Sequence, residues 1–310
     1  MHDDPSLLDK LKRLKARRNA VILAHNYQLP EVQDAADFTG DSLELSYAAR
    51  DASADVIVFC GVHFMAETAA ILSPGKTVLL PDESAGCPMA DMVTAEDVAA
   101  LRAEHPDAAV VCYVNSTAAV KAACDVCCTS SNAVDIVGRF PADREVVFVP
   151  DKYLGDHVRR TLGRDLILWP GYCPTHARLL PEHVAAARAA HPGAPVLVHP
   201  ECRADVAAAA DAVLSTGGMV RFARETTADT VVVGTEIGML HRLGKENPRA
   251  RFVPLHEAAV CGNMKKIDLA KVIQSLEEMA PRIEVPAKIA ERARAAVTRM
   301  LAPGGEGAAG

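Results

Sequence analysis

Cys87, Cys173 and Cys261 stand 62, 60 and 62 residues after His25, Tyr113 and His199, and each cysteine is followed by a turn former, Pro88, Pro174 or Gly262. The three reference residues are themselves 88 and 86 residues apart, and 17 residues beyond each comes a hydroxyl side chain, Ser42, Ser130 or Thr216. A free cysteine taken singly is most often a buried small hydrophobe. Three at equivalent places in a repeat read instead as a ligand set. Thiolates from three distant points of a chain suit an iron–sulfur cluster with one iron free of protein ligands, or a catalytic zinc with an open position. Such an open metal is a Lewis acid that can hold a carboxylate or hydroxyl and assist loss of water. The C-x-x-C-x-x-C run of ferredoxins is absent, so electron transfer is not the obvious task.

Beside the cysteines stand three polar pairs, His25 with Tyr27, Tyr113 with Asn115, and His199 with Glu201. Two-residue spacing at a strand end points both members to one face. Together they offer imidazoles, phenols, an amide and a carboxylate, an acid–base set for several proton transfers. Ser42, Ser130 and Thr216 read either as helix N-caps or as anion-binding hydroxyls at helix starts. Cys124, Cys127 and Cys128 have C-x-x-C spacing, but no counterpart in the other repeats, and read as packing on a helix. Cys60, Cys112 and Cys202 read as strand or near-site packing. Lys265 and Lys266 read as a solvated face or an anion-steering pair.

These residues need strands to carry them. Three apolar β-branched runs end in the polar pairs: Val21 to Asn26, Val110 to Asn115 and Val196 to Glu201. Each reads as a buried parallel strand. Ala-rich helical stretches follow at Leu29 to Thr39, Thr117 to Cys128 and Arg203 to Leu214. Second strands are expected at Asp55 to Cys60, Glu145 to Val149 and Thr230 to Gly234, and third strands at Thr77 to Leu80, Leu166 to Trp169 and Arg251 to Val253. The fold class is therefore α/β: three similar three-layer α/β/α units with short parallel sheets, arranged about a pseudo-threefold axis with the site at the centre. The expected division is an N-terminal helix over 1–19, repeats over 20–106, 107–192 and 193–267, C-terminal helices over 268–302 and a disordered tail over 303–310. Ligands of parallel α/β units bind outside the carboxyl ends of the strands, where all three residue sets fall.

The totals narrow the function. Half the residues are apolar, enough for a large core, and 33 Lys and Arg against 40 Asp and Glu leave no basic stripe for nucleic acid or an anionic membrane. No apolar run approaches the roughly 20 residues of a membrane span, and the charged N-terminus has no signal-peptide core. Nine cysteines, an odd number, argue against a disulfide framework. A cytoplasmic enzyme of small-molecule chemistry is expected.

Ala24-His-Asn-Tyr-Gln28, Tyr113-Val-Asn-Ser116, Cys128-Thr-Ser-Ser-Asn132, His199-Pro-Glu-Cys202 and Cys261-Gly-Asn-Met-Lys-Lys266 resemble quinolinate synthases of the A family, in order and over about residues 20 to 300. The resemblance implies one [4Fe-4S] cluster per chain on Cys87, Cys173 and Cys261. It implies a dehydrating condensation of iminoaspartate with dihydroxyacetone phosphate, giving quinolinate, phosphate and water in de novo NAD biosynthesis. Carried over by motif, His25, Ser42, Tyr113, Asn115, Ser130, His199, Glu201 and Thr216 bind substrate. Tyr27, Glu201, His199 and Tyr113 are the candidate catalytic residues, and an iminoaspartate-producing oxidase or dehydrogenase is a candidate partner. Some members carry C-x-x-C-x-x-C at the last ligand; here Met264 and Ile267 take the places of the extra cysteines. An aconitase-like hydro-lyase would explain the cluster without the repeat, and a non-catalytic α/β binding protein the repeat without the cysteines.

Overall fold

The computed structural model of the chain describes residues 5–302. The expected tail at 303–310 lies outside them, and of the expected N-terminal helix they include α1 (Pro5–Arg18). Three four-stranded, all-parallel sheets follow in sequence. The first holds β1 (Ala20–His25), β2 (Phe38–Gly40), β3 (Val56–Cys60) and β4 (Thr77–Leu79), in the order β2-β1-β3-β4. The second holds β5 (Ala109–Tyr113), β6 (Val126–Cys128), β7 (Val146–Val149) and β8 (Ile167–Leu168), and the third β9 (Val196–Val198), β10 (Ala212–Val213), β11 (Thr230–Gly234) and β12 (Arg251–Pro254). Their orders, β6-β5-β7-β8 and β10-β9-β11-β12, repeat that of the first.

The helices are α2 (Pro30–Ala35), α3 (Ser42–Asp51) and α4 (His63–Leu72) in the first unit, after α1. In the second they are α5 (Ala95–Glu104), α6 (Ala118–Ala123), α7 (Ala133–Gly138) and α8 (Lys152–Leu162). In the third they are α9 (Pro181–Ala190), α10 (Ala204–Ala209), α11 (Thr216–Glu225) and α12 (Met239–Glu246). Last come α13 (Leu269–Glu278), which packs on α1, and α14 (Ala287–Leu301), which packs on α6, β6 and α4.

Each sheet has one strand more than the residue pattern predicts. The stretches read as single helices, such as Leu29 to Thr39, break into a six-residue helix and an edge strand of two or three residues. An aspartate sets the break in every unit. Asp37 Oδ2 accepts the Ile22 N–H at 2.8 Å, Asp125 Oδ2 that of Val110 at 2.7 Å and Asp211 Oδ2 that of Val196 at 2.7 Å. The helix before each first strand supplies a cation to the same carboxylate: Lys15 to Asp37, Arg102 to Asp125 at 2.8 Å and Arg188 to Asp211 at 3.0 Å. A helix continuing through the aspartate would forfeit both contacts.

The chain leaves each first strand toward the edge and returns on the other side, so the switch points lie between β1 and β3, β5 and β7, and β9 and β11. The sheets are buried on both faces. In the third, Val196, Val198 and Val232 enter one apolar cluster while Leu197, Val231 and Val233 enter the larger core shared with the first two units. No helix among the described residues is long and apolar enough to cross a membrane.

Candidate active site

The carboxyl ends of β1, β5 and β9 open on one cavity of about 420 Å³, within the range of small-molecule sites. Its wall includes all twelve residues singled out above: Cys87, Cys173 and Cys261, the pairs His25/Tyr27, Tyr113/Asn115 and His199/Glu201, and the hydroxyls Ser42, Ser130 and Thr216.

The hydroxyls are not caps of the two long helices they open. Asp41 caps α3, accepting the Leu43 and Glu44 N–H groups at 2.9 Å each, and Ser215 caps α11, accepting the Gly218 N–H at 3.1 Å. Ser42 and Thr216 are thus the first helical residues. Capping one residue earlier leaves their side chains to the cavity, beside helix N-termini that favour anions. Ser131 ties the three corners together: its Oγ donates to Asp41 Oδ2 at 2.5 Å and lies 2.9 Å from Ser215 Oγ.

Burial governs the imidazoles. Both His25 and His199 are driven down to about 3, by burial above all, with the Glu201 charge opposing. Each uses its Nδ1 to accept the N–H two residues on, His25 from Tyr27 at 3.2 Å and His199 from Glu201 at 3.3 Å. The ring proton of each is thereby placed on Nε2, and His199 Nε2 donates to Ser130 Oγ at 3.2 Å. Both rings are neutral hydrogen-bond donors.

Glu201 is buried at the meeting of the units. Burial pushes its carboxyl up, but the His176 and His199 rings, with hydrogen bonds from His176 and Tyr113, hold it below the usual carboxylate range. Tyr113 Oη donates to Glu201 Oε1 at 2.5 Å, and Asn115 Nδ2 reaches the same oxygen at 3.4 Å. The phenols of Tyr27 and Tyr113 are pushed well up, first by burial and then by the Glu201 charge. Asn115 Oδ1 is buried without a partner, an acceptor left for a ligand's N–H or O–H.

The cysteines sit in three like turns. The backbone N–H three residues on, that of Ala90, His176 or Met264, donates to the sulfur of Cys87, Cys173 or Cys261. Burial nonetheless pushes the Cys87 thiol up to about 12, Cys173 well above its ordinary value and Cys261 upward. Sulfurs that receive N–H groups yet cannot hold a bare charge suit a bound cationic group that replaces their protons. The residues present therefore fit a cluster or metal. Cys173, His176 and Glu201 also place ligand atoms within 4.8 Å of one another.

Several site residues escaped the sequence reading. His176 Nδ1 lies 2.7 Å from Glu201 Oε2, and its Nε2 lies 2.8 Å from Thr235 Oγ1. Asp41 and Glu236 line the cavity with His176. Lys265 is no solvated cation: it pairs with Glu236 at 3.0 Å and donates to the Tyr27 carbonyl at 2.5 Å, while Lys266 reaches the Ser84 carbonyl. Cys124 ends α6 and Cys127 and Cys128 lie in β6, so this C-x-x-C is not on a helix; all three are buried, as are Cys60, Cys112 and Cys202.

Known proteins resemble this chain over nearly its whole length. The family described as Quinolinate synthetase A protein matches residues 9–302. A quinolinate synthase of Methanoregula boonei is 56% identical over 301 residues, covering 97% of this chain and 99% of its own. One from Dehalococcoides mccartyi is 56% identical, covering 94% and 96%, and one from Thermus thermophilus 55% identical, covering 96% and 98%. The chain belongs to the quinolinate synthetase A family.

Proposed function

We propose that the chain condenses iminoaspartate with dihydroxyacetone phosphate to quinolinate, releasing phosphate and water, for NAD biosynthesis in the cytoplasm. The observation that carries the reading is the cysteine triplet, one from each α/β unit, on the wall of a cavity that also holds the buried acid–base group of Tyr27, Tyr113 and Glu201.

The condensation forms a carbon–carbon and a carbon–nitrogen bond. It therefore needs anionic groups held in register, protons taken from carbon and protons given to departing oxygens. The helix N-termini at Ser42 and Thr216, with Ser130, would receive phosphate and carboxylate oxygens. His25 and His199, neutral and donating through Nε2, would orient those oxygens without adding charge. Glu201, held ionised, is the group able to take a proton, and Tyr113, bonded to it, the nearest able to deliver one. With Nδ1 already engaged, His199 has no free acceptor nitrogen, so we assign it orientation in place of the proton transfer expected from the motif. Cys87, Cys173 and Cys261 would hold a [4Fe-4S] cluster. When bound, it supplies an open iron, a Lewis acid for a substrate carboxylate or hydroxyl during loss of water.

Iron and acid-labile sulfide in anaerobically purified protein, with a quinolinate assay on the same samples, test the reading. About four of each per chain, lost in Cys87→Ala, Cys173→Ala and Cys261→Ala together with quinolinate formation, is the expected result. A second reading, a single metal ion, is favoured by the closeness of Cys173, His176 and Glu201. Zinc without sulfide would establish it and remove the cluster.

A further inference from the structure

The residues of the cavity wall are buried or half-buried except for three, and these come one from each cysteine turn: Pro88, Arg178 and Gly262. The cavity therefore meets solvent beside the cysteine turns, and of the three exposed residues only Arg178 carries a charge. Among the described residues it is also the one lysine or arginine on that wall.

The backbone holds the base of this side chain in place. The Ala177 N–H donates to the Cys173 carbonyl at 2.9 Å and the Leu179 N–H to the His176 carbonyl at 3.1 Å, while the Leu179 side chain is fully buried in the core of the third unit. The guanidinium itself is uncommitted: no hydrogen bond or ion pair joins it to another described residue. Its counterparts five residues past the other two cysteines are both engaged with a neighbouring unit. Met92 Sδ accepts the Tyr172 N–H at 3.4 Å, and Lys266 donates to the Ser84 carbonyl at 2.6 Å. At the third such place Arg178 makes no tie, and its five N–H donors stay free for a ligand.

The charges on the wall say what that ligand is. Asp41, Glu201 and Glu236 line the same cavity, and each is already satisfied, by Ser131 and the start of α3, by Tyr113 and His176, and by Lys265. Arg178 is the counter-ion of none of them. An anion entering past these carboxylates meets like charge, which an unpaired guanidinium at the entrance offsets. The planar fork of arginine matches the oxygens of a carboxylate or a phosphate.

We propose that Arg178 is a specificity-determining residue at the mouth of the cavity, where it receives the phosphate or carboxylate oxygens of an incoming substrate ahead of the helix N-termini at Ser42 and Thr216. The identity of those substrates rests on the quinolinate-forming reading; the anion-receiving role does not.

Arg178→Gln, Arg178→Lys and Arg178→Glu test it in the cluster-loaded enzyme. Arg178→Gln should raise KM for at least one substrate about 5- to 30-fold, with kcat within about two-fold and iron content held. Arg178→Lys should recover part of the loss and Arg178→Glu should deepen it. A rise confined to dihydroxyacetone phosphate assigns the phosphate, one confined to iminoaspartate the carboxylates, and a rise in both a shared entrance. The decline of kcat/KM with added salt should be shallower in Arg178→Gln than in wild type. Wild-type KM values and salt dependence in both Arg178→Gln and Arg178→Glu, or a loss of kcat at unchanged KM, would overturn the proposal. Calorimetric titration of inorganic phosphate and of succinate into anaerobic protein gives a readout independent of turnover. At least one should bind wild type and bind Arg178→Gln about 10-fold more weakly; equal affinities, or no binding to wild type, count against the role. Wild-type protein that makes no quinolinate while anion affinity still falls in Arg178→Gln would remove the proposed reaction and leave the anion-receiving role standing.

Discussion

The Tyr113 phenol, at the end of β5, donates a 2.5 Å hydrogen bond to Glu201 Oε1, beyond the end of β9, across the boundary between the second and third sheets. This is the closest approach of the proposed proton donor and acceptor, and both are buried. Neither belongs to the cysteine turns. Glu201→Gln and Tyr113→Phe should therefore each lower kcat by about 10²- to 10⁴-fold while leaving KM within a few-fold and iron content unchanged. Steady-state kinetics with iron analysis on each variant checks this, and wild-type turnover in Glu201→Gln would remove the carboxylate from proton transfer.

Stability should fall on acidification through a window set by two imidazoles. His25 and His199 are held near 3 in the fold by burial, against about 6.5 in the unfolded chain. Between these values the unfolded chain binds protons that the native state refuses. Their contribution is therefore fully present above pH 6.5 and is lost as pH falls toward 3. Each contributes a slope approaching about 1.4 kcal/mol per pH unit in that window. Denaturant unfolding between pH 7 and 4.5 should give a steep loss in wild type and a shallower one in His25→Gln and His199→Gln. Equal slopes in all three would place the pH dependence on the carboxylates.

Asp37, Asp125 and Asp211 should be equivalent in effect because they make equivalent bonds. Each accepts one backbone N–H of a first strand and pairs with a cation from the preceding helix. The ion pairs are partly exposed and contribute little. Loss of the acceptor in an Asp→Ala variant costs about 1–2 kcal/mol through the strand N–H. Three similar losses in chemical denaturation would confirm a common structural role, whereas a loss of turnover greater than the loss of fold at one position alone would single that unit out.

What the sequence discloses and what it hides follow from the same repetition. The strand-end pairs, hydroxyls and cysteines recur at nearly constant spacing, so one chance match is reinforced by two more. The edge strands β2, β6 and β10 carry only two or three residues, too few for alternation to separate them from the end of an alanine-rich helix. A signal existed: Asp37, Asp125 and Asp211 lie 12 residues beyond His25, Tyr113 and His199, and an aspartate recurring inside an apolar helical stretch marks a break. Asp41 and Ser215 could likewise have been read as caps, sitting one place before the repeated hydroxyls. His176 and Thr235 had no such signal, because a search for likeness between units passes over the positions where units differ.

The buried pair of Lys265 and Glu236 should control both stability and retention of the proposed cluster. The Glu236 side chain is 0% exposed and that of Lys265 18%. Glu236 Oε2 accepts from Lys265 and from the Gly238 N–H at 2.7 Å, while Oε1 accepts the Cys261 N–H at 3.2 Å. Lys265 in turn donates to the carbonyl of Tyr27. One carboxylate thus holds the Cys261 turn, and one ammonium ties it to the end of the first strand. Burial raises the Glu236 carboxyl and the Lys265 charge opposes that rise. Lys265→Met removes the cation and leaves the carboxylate buried without it, at a cost of about 3 kcal/mol. Glu236→Gln keeps an oxygen for the Cys261 N–H and leaves Lys265 its carbonyl and a path to solvent, so its loss should be smaller. Thermal unfolding and iron retained through anaerobic gel filtration measure the two effects together. Lys265→Met should lower both, and more than Glu236→Gln; a wild-type Tm with full iron in Lys265→Met would show that the Cys261 turn holds its place without the pair.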